Sequence, residues 1–250
     1  MILKRILVVA AALSTCACAA AVQSSRPKAS PEEALSRAIE QAGGAEALTR
    51  ATAFEWEGLA SVHAGGRNVS IAGKWEIQPP DSAVVTTYEV SQGPGAKRAL
   101  VLASPRGWLV GGDKFTAMPP SMLASERAEF YLYQLIGLVS LQNPEVKIST
   151  AAPDTLHQNG IQVEQRGRPA AFLYMDSCGR LSHVRMQVPS AETGKLEWQD
   201  AWLSGVIEAD GVRWPRELRL LVEGKPYFDL LLHSFRVTPR LANPLARGPA

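Results

Sequence analysis

The side chains that most often carry out catalysis are few in this chain, and their spacing matches no common catalytic or metal-binding motif. The chain has four histidines, none of them in an H-E-x-x-H or H-x-x-E-H motif: His63, His157, His183 and His233. Because there is also no C-x-x-C pair, the sequence predicts no metal site. We expect His63 to lie on the outer side of a strand near a turn, and His233 to be a core histidine.

Carboxylates offer one further candidate. Glu55 and Glu57 alternate along a predicted strand, so both face the same side and could act as a general acid and a general base. The polar face of an exposed strand gives the same spacing. No G-x-S-x-G elbow, P-loop or dinucleotide-binding glycine pattern is present. A Ser-His-Asp triad forms only in the fold, so a hydrolase with an unrecognised site stays an alternative. The sequence predicts no catalytic residue and no cofactor.

The large aromatic residues carry more information. All six tryptophans fall in predicted strands: Trp56, Trp75, Trp108, Trp198, Trp202 and Trp214. They either fill an ordinary core or line an apolar cavity that a curved sheet leaves open. For the second interpretation, the candidate ligand-binding residues are those on the first hairpin and on a mid-chain helix: Trp56, Trp75, Phe130, Tyr133 and Ile136.

The N-terminal segment predicts export. Residues 1–5 are cationic, residues 6–13 are apolar and residues 14–21 are small, as in a secretory signal peptide. The apolar stretch is shorter than the ~20 residues of a membrane-spanning helix. Cleavage at an A-x-A site gives a soluble product, whereas lipidation of Cys16 or Cys18 gives a membrane-tethered lipoprotein. Both alternatives stay open.

Composition describes an ordinary globular chain. Removal of residues 1–21 leaves about 225 residues, within the range of one all-β domain. The net charge of +2 comes from scattered basic residues, which excludes a nucleic-acid footprint. Cys178 is the one cysteine after residue 21, so the fold contains no internal disulfide, and it lies in a predicted turn.

Periodicity gives the elements that position these residues. Ser30 and Glu33 form a capping box for a first helix, which Gly43-Gly44 ends, and a short helix follows over 45–50. Residues 121–141 predict the longest helix, too short in its apolar part to span a membrane. Alternating segments predict strands at 54–62, 69–77, 83–90, 98–103, 108–110, near 115, 146–150, 161–165, 171–176, 181–188, 196–207, 213–223 and 227–237. Residues 22–29 are read as a tether, 30–238 as one domain and 239–250 as a disordered tail.

The order of these parts resembles the outer-membrane lipoprotein carrier and receptor superfamily (LolA/LolB-like). The resemblance rests on four short motifs: Gly43-Gly44, Trp56-Glu57-Gly58, Gly211-Val212-Arg213-Trp214-Pro215 and Glu223-Gly224-Lys225-Pro226. It implies a mainly β fold with helices (α+β), a half-open antiparallel barrel of about 11 strands plugged by the mid-chain helix. It also implies an apolar cavity for acyl chains. No functional residue is carried over from the family.

Taken together, the sequence predicts an exported, non-catalytic protein of a Gram-negative envelope, periplasmic or tethered to the outer membrane. Its expected partners are a lipid, an acyl chain or other lipoproteins, and it would associate with the membrane if it is lipidated. Burial of acyl carbon would drive binding at ~0.8 kcal/mol per CH₂. The alternative is a structural or interaction module whose barrel is filled by its own side chains.

Overall fold

The computed structural model describes residues 29–152 and 160–249, which form one antiparallel sheet of 13 strands with a small two-stranded ribbon and three α-helices. The helices are α1 (Pro31–Gln41), α2 (Ala45–Arg50) and α3 (Pro120–Ile136). No helix within these ranges combines the length and the apolar content required to span a bilayer. The proposed signal segment, with Cys16 and Cys18, lies outside the described residues, as does His157.

The strands follow the chain in two long meanders that meet at the middle of the sheet. The first comprises β1 (Ala53–Ala64), β2 (Arg67–Gln78), β3 (Ser82–Glu89), β4 (Arg98–Ala103), β5 (Arg106–Gly111) and β6 (Lys114–Ala117). The second comprises β7 (Lys147–Thr150), β8 (Gly160–Glu164), β9 (Ala171–Met175), β10 (Leu181–Pro189), β11 (Leu196–Ser204), β12 (Ile207–Ala209), β13 (Val212–Trp214), β14 (Glu217–Val222) and β15 (Lys225–Thr238). The sheet order is β6-β5-β4-β3-β2-β1-β15-β14-β11-β10-β9-β8-β7, so β1 pairs with β15 at the centre.

The predicted class, mainly β with helices, is confirmed, and the sheet is open because β6 and β7 are its two free edges. The expected number of about 11 strands is not confirmed. Two segments predicted as single strands each divide: 196–207 at Gly205, where φ is +62°, and 213–223 at Pro215-Arg216. The pieces β12 and β13 then pair only with each other, as a ribbon separate from the 13-stranded sheet.

The first helix begins as the sequence predicts. The backbone N–H of Glu33 donates to Ser30 Oγ, and the Glu33 carboxylate accepts from the backbone N–H of Ser30, which is the expected capping box. The helix ends at a close approach, where a Cβ on Gly43 would collide with the carbonyl oxygen of Gly211. The N–H of Arg213 donates to the Ala42 carbonyl at 2.8 Å, so this contact joins α1 to β13.

Helix α3 is shorter than the predicted span of 121–141. It ends at Ile136, and Leu138 then adopts a φ of +56°, in the left-handed region that a helix does not contain. A 3₁₀ turn over Val139–Gln142 follows. Helix α3 packs on the sheet against β10. We call the sheet face that carries α3 the inner face, and the opposite face the outer face.

The C-terminal residues up to residue 249 lie against the outer face of the sheet, and disorder of residues 239–250 stays a prediction. The side chain of Asn243 donates to Glu76 Oε2 at 2.6 Å, and the N–H of Leu241 donates to Gln78 Oε1 at 2.9 Å. Residues Pro244–Arg247 form a 3₁₀ turn that lays Leu245 on an apolar patch of the first meander. That patch consists of Val84, Ala99, Val101 and Val110. Burial of apolar surface favours this contact.

Candidate functional site

A cavity of about 530 Å³ lies between the first meander and one face of α3. Its volume falls within the range of ~300–1,000 Å³ that small-molecule sites occupy. The apolar residues around it come from six strands: Val62, Ile71, Trp75, Val85, Leu100, Leu109 and Phe228. Since the lining is mostly apolar and covered by a helix, the cavity can remove an apolar ligand from water.

The sheet side of the cavity is a row of side chains that cross-strand pairing aligns. Trp75 of β2 lies opposite Val85 of β3, which lies opposite Leu100 of β4, which in turn lies opposite Leu109 of β5. Residues directly opposite each other in an antiparallel pair share one face of the sheet. These four side chains therefore form a continuous apolar wall across four strands.

The helix side of the cavity is one stripe of α3. Glu126, Glu129, Phe130 and Tyr133 all line the cavity, and their spacing of i, i+3, i+4 and i+7 places them on one helical face. The rings of Phe130 and Tyr133 meet edge to face, with centroids 5.5 Å apart. The helix therefore presents two aromatic rings and two carboxyl groups to the apolar wall.

The structure brings three of the five candidate ligand-binding residues together, because Trp75, Phe130 and Tyr133 all line this cavity. Trp56 lies behind Tyr133, with ring centroids 5.1 Å apart, and is almost completely buried in the core. Ile136 is one helical turn further on and lines a different, smaller hollow of about 190 Å³ beneath α1. These two positions are therefore core positions beside the cavity.

The two carboxyl groups were not singled out as site residues from the sequence, where Glu126 and Glu129 read as the polar start of a helix. Burial raises the pKa of both groups above the ordinary value of 4.5, and the charge of Glu129 raises the pKa of Glu126 further. Neither carboxyl group has a hydrogen-bond or ion-pair partner among residues 29–152 and 160–249. Their shared helical face with Phe130 and Tyr133 was the signal that could have identified them.

Two phenols complete the polar part of the cavity. Tyr133 is only 7% exposed, and Tyr227 of β15 lines the same space. Burial, followed by the charges of Glu129 and Glu126, raises the pKa of Tyr133. The charge of Glu129 is the largest of the effects that raise the pKa of Tyr227. Both phenols therefore lie near the carboxyl groups and stay protonated at neutral pH.

Two further hollows fit a ligand less well. The larger, about 990 Å³, lies on the outer face and includes the exposed side chains of Leu59 and Leu231. All of its lining residues belong to the sheet or to the residue after β3, so no second layer from the described part of the chain covers it. The hollow beside Ile136 is small and is lined by charged residues such as Asp176 and Arg213. The cavity under α3 is therefore the candidate site.

The described histidines form no catalytic arrangement. His63 is on the outer face as predicted, and its two ring nitrogens lie 2.8 Å from Asn68 Oδ1 and 2.9 Å from Asp229 Oδ2. The prediction that His233 is a core histidine is wrong, because the β1–β15 register shifts there and leaves it exposed on a bulge. The buried histidine is instead His183, which stacks on Trp202 and contacts Asp200 at 2.8 Å.

Of the two carboxylates on β1, Glu55 is held in structural ion pairs. Lys74 forms ion pairs with Glu55 at 3.0 Å and with Glu76 at 3.2 Å, and Arg236 contacts Glu55 as well. Glu57 is exposed on the same outer face. Among the residues that the structure describes, no three His, Cys, Asp or Glu side chains converge as metal ligands would.

Comparison with known proteins identifies the fold. The sequence matches no protein-family profile and no curated protein. Among solved structures, a DUF1329 family protein from Desulfovibrio piger covers 86% of this chain and 96% of its own, with a TM-score of 0.57 at 10% identity. An outer membrane lipoprotein-sorting protein domain from Vibrio parahaemolyticus covers 84% and 95%, with a TM-score of 0.52 at 11% identity.

A LolA superfamily protein from Nitrosomonas europaea covers 87% of this chain and 97% of its own, with a TM-score of 0.54 at 9% identity. At such low identity the likeness concerns the fold and not the residues of the site. The resemblance drawn from the order of the sequence motifs is thereby confirmed. This chain shares the open, mainly antiparallel β fold of these solved structures.

Proposed function

We propose that this chain is a non-catalytic carrier that binds the alkyl or acyl chain of a lipid, or of a lipidated protein, in the cavity under α3. The observation that carries the proposal is the apolar wall of Trp75, Val85, Leu100 and Leu109, of which the last three stay partly accessible to solvent. Each buried CH₂ of a ligand would contribute ~0.8 kcal/mol, so an alkyl chain binds without a dedicated polar anchor.

The location that fits this proposal is the envelope of a Gram-negative bacterium. It rests on the signal-like residues 1–21 and on fold relatives that include an outer membrane lipoprotein-sorting domain. Tethering through Cys16 or Cys18 would keep the cavity close to a lipid surface, whereas cleavage after residue 19 or 21 would release a periplasmic carrier. Palmitate labelling of the wild type and of Cys16→Ser and Cys18→Ser variants distinguishes the two.

The competing function is an interaction module with a filled interior. Under that alternative no apolar compound enters the fold, and the outer face makes the functional contacts. The partly accessible side chains of Ile71, Val85 and Leu100 favour the carrier, because a filled interior would have buried them fully.

The test is binding of the neutral dye N-phenyl-1-naphthylamine, followed by its displacement with dodecanol. The wild-type chain should bind both. Val85→Phe fills the centre of the apolar wall and should weaken binding by about 10-fold or more, a loss of roughly 1.4 kcal/mol.

The matched control is Thr86→Phe, which adds a ring to the next residue of the same strand on the opposite face of the sheet. It should leave dye affinity within about twofold of the wild type. Circular dichroism and a thermal melt confirm that both variants fold. Absence of dye and dodecanol binding by the wild type, or equal losses in the two variants, would refute the carrier proposal.

A further inference from the structure

The cavity is not uniformly apolar, because four polar side chains converge on its helix side. Glu126, Glu129 and Tyr133 project from one face of α3, and Tyr227 reaches the same space from β15. Glu126 and Glu129 are one helical turn apart, which separates their Cβ atoms by about 5–6 Å. None of the four makes a hydrogen bond or ion pair to another residue of the described chain.

Such a cluster is costly when it has no partner. A fully buried polar group without a hydrogen bond costs about 1–3 kcal/mol, and Glu126 and Glu129, which are partly buried, bear part of such a cost. Tyr133 is only 7% exposed and lines the cavity, so its side chain is largely removed from water. An unsatisfied group that lines a cavity indicates that a ligand supplies the missing partner.

The cationic side chains near the cavity, among the described residues, do not supply a partner for the two carboxyl groups. Arg127, between the two glutamates in sequence, points away and pairs with Asp81 at 3.4 Å. Arg98 and Lys114 line the opposite, strand side of the cavity and are exposed, and neither forms an ion pair with Glu126 or Glu129. The carboxyl pair is thus available to a cation that enters with the ligand.

We propose that the cavity takes a single-chain amphiphile whose polar end is a cationic amine, with the ammonium group between Glu126 and Glu129 and the alkyl chain along Trp75, Val85 and Leu100. This inference rests on the proposed function and specifies its ligand class. An ammonium group provides three hydrogen-bond donors and one positive charge, which matches two carboxyl groups that lack both. The rings of Tyr133 and Tyr227 add cation–π contacts.

The test compares three amphiphiles that share a dodecyl chain and differ only at the polar end: dodecylammonium, dodecanol and dodecanoate. Each is titrated against the dye-loaded full chain below its critical micelle concentration. Dodecylammonium should bind about 10-fold more tightly than dodecanol, and dodecanoate should bind more weakly than dodecanol. The preference should decrease at high salt, as for a charge pair that solvent reaches through the cavity mouth.

The variant Glu126→Gln/Glu129→Gln removes both charges and keeps the shape of the side chains. It should bind dodecanol within about threefold of the wild type but lose the preference for dodecylammonium. Glu145→Gln, at an exposed position after α3, removes a charge outside the cavity and should leave the preference intact. Arg98→Gln/Lys114→Gln, on the strand side of the cavity, measures whether these two cations bind the carboxylate of dodecanoate instead.

A failure of the carrier function and a failure of the amine proposal give different binding results. If no dodecyl compound binds the wild type, the carrier function itself is wrong. If dodecanol binds but dodecylammonium has no advantage, or dodecanoate binds best and depends on Arg98 and Lys114, the carrier function stands and the amine proposal is overturned. Retention of the ammonium preference by the double glutamine variant would also overturn it.

Discussion

The two halves of the sheet carry similar apolar faces, but only one of them is filled. Over the second meander, one face of α3 is packed: Tyr131, Leu132 and Leu135 have almost no exposed surface. Over the first meander, the face of the same helix that carries Glu126, Glu129, Phe130 and Tyr133 borders the cavity, and Leu109 is 38% exposed. One helix thus packs closely against one half of the sheet and covers an open cavity over the other half.

The difference lies in how many layers cover each half. The second meander receives α1 as well as α3, since α1 contacts β7 and β8, and its strands supply large inward side chains such as Leu173 and Met186. Among the described residues, the first meander has α3 on its inner face, without a second helix beside it over the cavity, and the C-terminal residues on its outer face. The cavity therefore remains where the described fold places no second helix.

The largest expected contrast is in stability. Leu135→Ala, in the filled half, should lower the free energy of unfolding by about 2–5 kcal/mol, because it creates a cavity in a packed core. Leu100→Ala, in the empty half, should cost about 1 kcal/mol or less, since its side chain already borders open space. Urea denaturation of both variants measures the contrast. Equal losses would mean that the two halves are packed alike.

A smaller expected effect is the pH dependence of stability that the carboxyl groups of the cavity cause. Burial raises the pKa of Glu129 above 4.5, so the folded chain keeps this proton to higher pH than the unfolded chain does. The contribution to stability is full below pH 4.5 and is lost as the pH rises through the raised pKa. Each unit of the rise corresponds to about 1.4 kcal/mol.

Glu126→Gln/Glu129→Gln should therefore flatten the decline in ligand-free stability from about pH 5 to about pH 8. Denaturant titrations at several pH values measure the slope, and Glu145→Gln serves as the control. A wild-type stability that rises over this interval and is unaffected by the double variant would show that the carboxyl groups are solvated.

The smallest effect concerns the C-terminal turn, which lies on the outer face of the first meander. Leu245→Ala removes part of the contact between the C-terminal turn and the patch of Val84, Val101 and Val110, and should cost about 1 kcal/mol. Hydrogen exchange should accelerate in β3–β5 and remain unchanged in β8–β10. Uniform acceleration in both meanders would indicate that the two halves unfold as one unit and do not differ in local stability.

Much of this fold could be predicted from the sequence, because alternation and turn residues are local signals. The capping box at Ser30, the hairpin of β1 and β2 and the cavity positions of Trp75 and Phe130 all follow from spacing. Whether an inward side chain is covered depends on a distant layer. For that reason Trp56 could not be separated from Trp75, and Ile136 could not be separated from Tyr133.

The misjudged positions have local physical causes. His233 leaves the core because one extra residue in β15 bulges opposite Glu57-Gly58, which alternation along a single strand does not reveal. Glu126 and Glu129 looked like solvent-facing residues because the start of α3 is polar. Their burial depends on the strands β2–β5, which lie opposite them across the cavity.

The central claim is that the cavity over the first meander receives an apolar chain. Native mass spectrometry tests this claim most directly. The full chain is produced in a Gram-negative bacterium and purified without detergent, alongside Val85→Phe and Thr86→Phe. We predict an adduct of lipid or alkyl-amine mass on the wild type and on Thr86→Phe, released by solvent extraction and absent from Val85→Phe. A ligand-free mass for the wild type, together with no uptake of added dodecanol or dodecylammonium, would contradict the account.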